Sequence, residues 1–148
     1  MSTLERAIAI AAEAHAGQVD KAGAPYILHP LRVMLGMPVG DSRIVAVLHD
    51  LCEDCPEWSP ERLRLEGFSP RIVSAIEAVT KRDGETYEDF VSRAGAHPIG
   101  RIVKRADIRD NMDLTRIAEP GVRDLARLAK YRDALAMLDT TETQAPGG

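Results

Sequence analysis

Two cysteines in 148 residues cannot build a disulfide framework, so a reducing compartment is expected. Lys and Arg together are outnumbered by Asp and Glu, 19 to 23, for a net charge of −4. That balance leaves no basic footprint for a nucleic-acid partner. No apolar run reaches the length of a membrane span, and the first residues lack the basic-then-apolar layout of a signal peptide. Runs of β-branched residues are few, while Ala, Leu, Arg and Glu abound, which predicts an all-α fold. There is no internal repeat and no shift of composition that would mark a domain boundary. With 45% hydrophobic and 28% charged residues, the expectation is one soluble, cytoplasmic domain with one sizeable core.

The helical punctuation is regular. Ser2-Thr3-Leu4-Glu5 has capping-box spacing, and Leu4, Ala7, Ile8, Ala11 and Ala12 recur at helical period until Gly17. The glycines and Pro25 of Gln18–Tyr26 predict a loop, followed by a short helix over 31–37 that His29-Pro30 opens or interrupts. Asp41 is a plausible cap for a central helix. Ser59-Pro60 and Ser69-Pro70 each place a cap before a proline at the first helical position. Further helices are expected over 86–94, 99–112 and from Pro120-Gly121 onward, about seven in one bundle. The domain is expected to cover 1–139, and 140–148, with nothing to bury, to be a disordered tail.

The stretch Leu48–Cys55, L-H-D-L-C-E-D-C, concentrates the chemistry. On one continuous helix His49 and Glu53 would be i, i+4 neighbours, as would Asp50 and Asp54. Four ionisable groups on an otherwise apolar element need compensation, and a divalent cation supplies it. His29 lies where a loop meets a helix, and Asp107 falls on the inward stripe of its helix, where a carboxylate is expensive unless paired. His29, His49, Asp50 and Asp107 are therefore the candidate metal ligands. Their mix of imidazole and carboxylate suits Mn, Fe, Co, Ni or Zn better than Ca or Mg. The plainer alternative makes His29 a helix cap and His49 a satisfied core histidine. With only four histidines in the chain, one metal is expected rather than two. Cys52 and Cys55 fit Cys-x-x-Cys, but with no second pair they read as small core residues.

The blocks H-A-G-Q, G-A-P-Y-I-L-H-P, L-H-D-L-C-E-D and K-R-A-D-I-R-D-N-M, in this order, resemble the HD-domain metal-dependent phosphohydrolases. Within them the chain is most similar to the hydrolase domain of the RelA/SpoT family and to the stand-alone small alarmone hydrolases, including those of animals. The resemblance implies a helical HD-domain bundle and one metal, usually Mn2+, on the four ligands. It implies that Glu53 and Asp54 are catalytic, positioning or deprotonating the attacking water. Lys21, Lys104, Asn111 and Tyr131 match positions that contact or lie near the nucleotide. His15 matches a residue of the first block and is a candidate support. Arg32, Arg43 and Arg109 are added on charge alone.

The implied activity is (p)ppGpp 3′-pyrophosphohydrolysis, with a small-molecule nucleotide as the partner and neither nucleic acid nor membrane. The alternatives are an HD-type phosphatase of another nucleotide, a nucleoside monophosphate or NADPH, and a non-catalytic nucleotide-sensing module. Two departures bear on substrate choice. Val19-Asp20 stands where the family carries basic residues, and Ile108 and Asp110 replace a basic residue and a histidine. Asp20 is expected to add nothing to base recognition, so that Asp20→Arg would lower the Michaelis constant.

Overall fold

The computed structural model describes residues 2–38 and 40–144, and among these there is no strand, only an isolated bridge between Val19 and Pro25. Among the described residues, nine α-helices and one 3-10 turn make up the bundle. They are α1 (Leu4–Ala14), α2 (Leu28–Leu35), α3 (Asp41–Leu48), α4 (Leu51–Asp54), α5 (Pro60–Leu65), α6 (Pro70–Ala78), α7 (Tyr87–Gly95), α8 (Pro98–Asn111), the turn Leu114–Arg116, and α9 (Val122–Gln144). The all-α expectation holds, but the helix count exceeds seven. One reason is that the expected central helix is interrupted at His49 and Asp50, the two residues between α3 and α4. α2 also starts before His29, so that His29 and Pro30 lie in its first turn, where proline is tolerated. α9 runs on to Gln144, into the stretch expected to be a tail, and residues 145–148 lie outside those described.

Caps set most of the starts. Ser59 and Ser69 each accept a hydrogen bond at 3.2 Å, from the N–H of Arg62 and of Ile72, with proline next in line. At the first helix the cap is Thr3, which accepts from Arg6 N–H, while the Ser2 hydroxyl donates to the Glu66 carbonyl instead. α3 forms the centre. Val45, Ala46, Val47 and Leu48 are completely buried, and α1, α2, α6 and α8 pack around them. A smaller, separate core joins α7, α8 and α9 through Val91, Ile108, Ala134 and Leu138. Ile108 thus departs from a basic residue because it fills this second core. Close packing also explains Gly100, where a Cβ would stand 3.0 Å from the Ala94 carbonyl oxygen and 3.3 Å from Ala78 Cβ. α8 is thereby seated deeply enough to carry Asp107 to the end of α3.

Candidate metal centre and nucleotide cleft

Four side chains from three elements meet where α3 ends. The ligand-capable atoms of His29, His49 and Asp50 lie within 4.8 Å of one another. His49 Nε2 stands 3.0 Å from Asp50 Oδ2, and His29 Nε2 stands 3.5 Å from it. Asp107 Oδ1 approaches the same two nitrogens, 2.9 Å from His29 Nε2 and 3.3 Å from His49 Nε2. The break between α3 and α4 serves this geometry. Adjacent residues on an unbroken helix diverge by about 100°, whereas here His49 and Asp50 turn to the same point.

The remaining ring nitrogens settle which way the imidazoles face. His49 Nδ1 is 2.6 Å from the Ala46 carbonyl oxygen, and His29 Nδ1 is 2.6 Å from Asp110 Oδ2. A carbonyl or carboxylate at Nδ1 calls for N–H there, so in the neutral ring both Nε2 lone pairs point at the carboxylates of Asp50 and Asp107. Two lone pairs facing two anions repel unless the rings are protonated or a cation stands between them. The donor set, two imidazole nitrogens and two carboxylates, fits a divalent transition metal. Without one, protons take the role. Burial opposes charging His49, yet Asp50 and Asp107 outweigh it and raise its pKa well above the usual value. Burial likewise opposes the Asp107 carboxylate, and Lys104 with His49 holds it well below the usual range.

Around this point the expected residues divide into those that reach it and those that do not. Lys104 is buried and its Nζ donates to Asp107 Oδ2 at 3.0 Å, while Asn111 Nδ2 donates to Asp107 Oδ1 at 3.1 Å. Lys104, Asp107 and Asn111, at i, i+3 and i+7 on α8, therefore share one face and one opening. Glu53 and Asp54 stand at the rim of a lobe of about 290 Å³ that also contains Asp50 and Asp107. Burial raises the Glu53 pKa against the pull of the Lys81 N–H, which donates to it at 3.0 Å. Burial and the charge of Asp50 raise that of Asp54. A second lobe of about 360 Å³ holds Lys21, Arg32, Arg116 and Arg127. Tyr26, His29, Asn111 and Tyr131 line both lobes, whereas Asp50 and Asp107 line the smaller one alone.

Asp20 has a structural task of its own. Its Oδ1 accepts the N–H of Ala22 at 2.9 Å and of Ala24 at 3.0 Å, closing its own loop. Arg43 is spent on the carbonyls of Met37 and Pro38, and Arg109 faces another groove beside Arg101 and Arg105, so neither serves this cleft. His15 is buried against the Tyr26 ring, with centroids 5.1 Å apart. Cys55 is buried beside it in the main core, while Cys52 is half-buried against that core and burial pushes its thiol up to about 11; both are free thiols.

Several cleft residues escaped the sequence reading. Tyr26 donates its hydroxyl to Asp50 Oδ2 at 2.5 Å, and burial followed by the Asp50 charge raises its pKa. Its block G-A-P-Y was visible, but nothing local ties it to a residue 24 positions on. Lys81 and Lys130 join Lys104 in the smaller lobe, with Lys130 Nζ 3.9 Å from the centre of the Tyr87 ring. Asp110 is held by Arg32 as well as by His29.

No family model matches the chain. Curated relatives do. A GTP pyrophosphokinase of Streptomyces coelicolor is 34% identical over 157 aligned residues, 97% of this chain. A guanosine-3′,5′-bis(diphosphate) 3′-pyrophosphohydrolase of Aquifex aeolicus is 32% identical over 121, 74% of the chain. The chain spans only 17% of the length of either. Among solved structures, a metazoan ortholog of SpoT that hydrolyses ppGpp superposes with a TM-score of 0.72 at 20% identity, covering 99% of this chain and 97% of that one. In sequence the chain is thus similar, over most of its length, to one segment of RelA/SpoT-type proteins, and it has the fold of the metazoan SpoT ortholog.

Proposed function

We propose that the protein is a cytoplasmic, manganese-dependent phosphohydrolase that removes the 3′-pyrophosphate of (p)ppGpp. One observation carries the reading: His29, His49, Asp50 and Asp107 converge beside a lobe with Glu53 and Asp54 on its rim, and His29 also lines the second lobe. The activities named for the Aquifex relative and the metazoan ortholog support it. A divalent cation on the four ligands would supply a water of lowered pKa and draw charge from a phosphate oxygen.

The chain's own groups divide the remaining work. Glu53 and Asp54, with raised pKa values, are placed to accept a proton from that water. Lys81, Lys104 and Lys130 concentrate positive charge in the smaller lobe, where the pyrophosphate belongs. The larger lobe takes the nucleoside, near Lys21. Asn111 and Tyr131, common to both lobes, stand at the junction where the scissile bond must lie.

The test is a screen for phosphate and pyrophosphate release from guanosine and adenosine nucleotides with manganese, run on wild type, Glu53→Gln and His49→Ala. Wild type is expected to release pyrophosphate from (p)ppGpp. Glu53→Gln should keep about one metal ion per chain by elemental analysis while turnover falls about a hundredfold, and His49→Ala should lose the metal. Metal-loaded wild type that releases nothing from any nucleotide would shift the reading to a sensor.

A further inference from the structure

We infer that Asp110 is a positioning residue of the metal centre, fixing His29 as its most strongly held ligand; the inference rests on the metal reading above. The two histidines are supported unequally. Behind His49 stands a neutral acceptor, the Ala46 carbonyl oxygen, 2.6 Å from Nδ1. Behind His29 stands a carboxylate, Asp110 Oδ2, also at 2.6 Å. A carboxylate behind an imidazole fixes the ring's tautomer and rotation and makes the opposite nitrogen a stronger donor to a metal.

Asp110 is not free to leave that position. Arg32 grips it with both arms of its guanidinium, Nε to Oδ1 at 2.8 Å and Nη2 to Oδ2 at 3.0 Å. Arg116 holds the backbone of the same residue, its Nη2 donating to the Asp110 carbonyl oxygen at 2.9 Å. Arg32 lies three residues after His29 on α2, so the ion pair closes a ring: His29 to Asp110 on α8, then back through Arg32 to the same turn of α2. Such a ring tolerates little rotation of the His29 side chain, whose Nε2 is thereby kept 2.9 Å from Asp107 Oδ1. The departure at this position, an aspartate in place of the expected histidine, therefore has a defined consequence for the metal centre. The neighbouring departure, Ile108, only fills the core.

The experiment titrates chelator-stripped protein with Mn2+ by calorimetry and records the visible spectrum of the Co2+-loaded form. Asp110→Asn keeps an acceptor oxygen of the same shape but loses its charge, and Mn2+ should bind about tenfold more weakly. Asp110→Ala removes the support altogether, and the loss should approach about a hundredfold, with altered Co2+ absorption because the His29 ring is no longer held. Urea unfolding of the metal-free variants separates these effects from general instability. A merely structural Asp110 would change that midpoint and leave the affinity and the Co2+ spectrum of the folded protein as in wild type. Asp110→Asn that binds Mn2+ as tightly as wild type, while His49→Ala loses the metal, overturns the inference and spares the metal reading. His49→Ala that binds Mn2+ like wild type overturns both.

Discussion

Replacing Lys104 with Met sets two counter-charges of Asp107 against each other. Lys104 is only 8% exposed, with its ammonium 3.0 Å from Asp107 Oδ2 and 4.4 Å from the centre of the Phe90 ring. Methionine fills nearly the same space, so packing is preserved and the charge alone is lost. Removing one partner of a buried ion pair costs about 3–5 kcal/mol. Asp107 retains the Asn111 amide at 3.1 Å and His29 at 2.9 Å, so the lower end, about 3 kcal/mol, is expected in chelator. With a denaturant slope of about 2 kcal/mol per molar urea, the unfolding midpoint should fall by about 1.5 M. Manganese at the four ligands would supply the missing positive charge, and the deficit should shrink to about 1 kcal/mol. Linkage then requires the variant to bind manganese more tightly by the difference, about 2 kcal/mol or about thirtyfold. Urea titrations with and without manganese, and a direct binding isotherm, measure both sides of this cycle. Equal losses of midpoint in chelator and in manganese would refute the reasoning, because Lys104 and the cation would then not be answering the same carboxylate.

Two further perturbations follow from the geometry. Asp20→Arg should raise the Michaelis constant for (p)ppGpp rather than lower it, since it removes the acceptor that closes the Asp20–Ala24 turn, whereas Asp20→Asn, whose amide oxygen can still accept, should stay near wild type in steady-state assays. His97 caps α8 by accepting the N–H of Ile99 and of Gly100 at Nδ1, both at 3.2 Å, and only an unprotonated Nδ1 can do so. Burial, with Arg71 nearby, lowers its pKa below the ordinary value, so the cap's contribution, about 1 kcal/mol, is complete above about pH 6.5 and is lost as pH falls through the folded-state pKa. His97→Asn caps at any pH, so the stability of wild type relative to this variant should decline below pH 6.5 in urea unfolding; parallel curves from pH 5 to 8 would count against the assignment.

What could be read in the sequence was what is decided locally. Ser59-Pro60 and Ser69-Pro70 announce helix starts because cap and first turn lie within four residues, and both caps form. The apolar stripe of α6 and the Lys104–Asp107–Asn111 face of α8 follow from helical period alone. The candidate ligands could be listed because buried His and Asp are costly and because four motif blocks resemble one family. Their arrangement could not. His29 and Asp110 are 81 residues apart, and no periodicity links them. The break at His49–Asp50 was hidden because α3 and α4 read as one continuous pattern, while tertiary contacts from α2 and α8 reward the turn. The part Asp20 plays in its own loop was equally invisible: the sequence showed only an aspartate where the family carries a basic residue, whereas its carboxylate accepts backbone N–H groups two and four residues ahead.

The separation of the small α7–α8–α9 core from the main one bears on how the protein opens. α9 meets only α7 and α8 among its principal neighbours, and it is anchored by Ala134 and Leu138, while Val122 and Leu125 at its start are exposed. Its amides are therefore expected to exchange with deuterium through a partial opening that leaves α3 intact, whereas the amides of Val45–Leu48 should wait for global unfolding. That partial opening removes Arg127, Lys130 and Tyr131, one whole wall of the cleft, without disturbing His29, His49 or Asp50. The ligand cluster and the wall facing it thus belong to units of different stability, and a bound nucleotide that touches both would slow exchange in α9 far more than in α3.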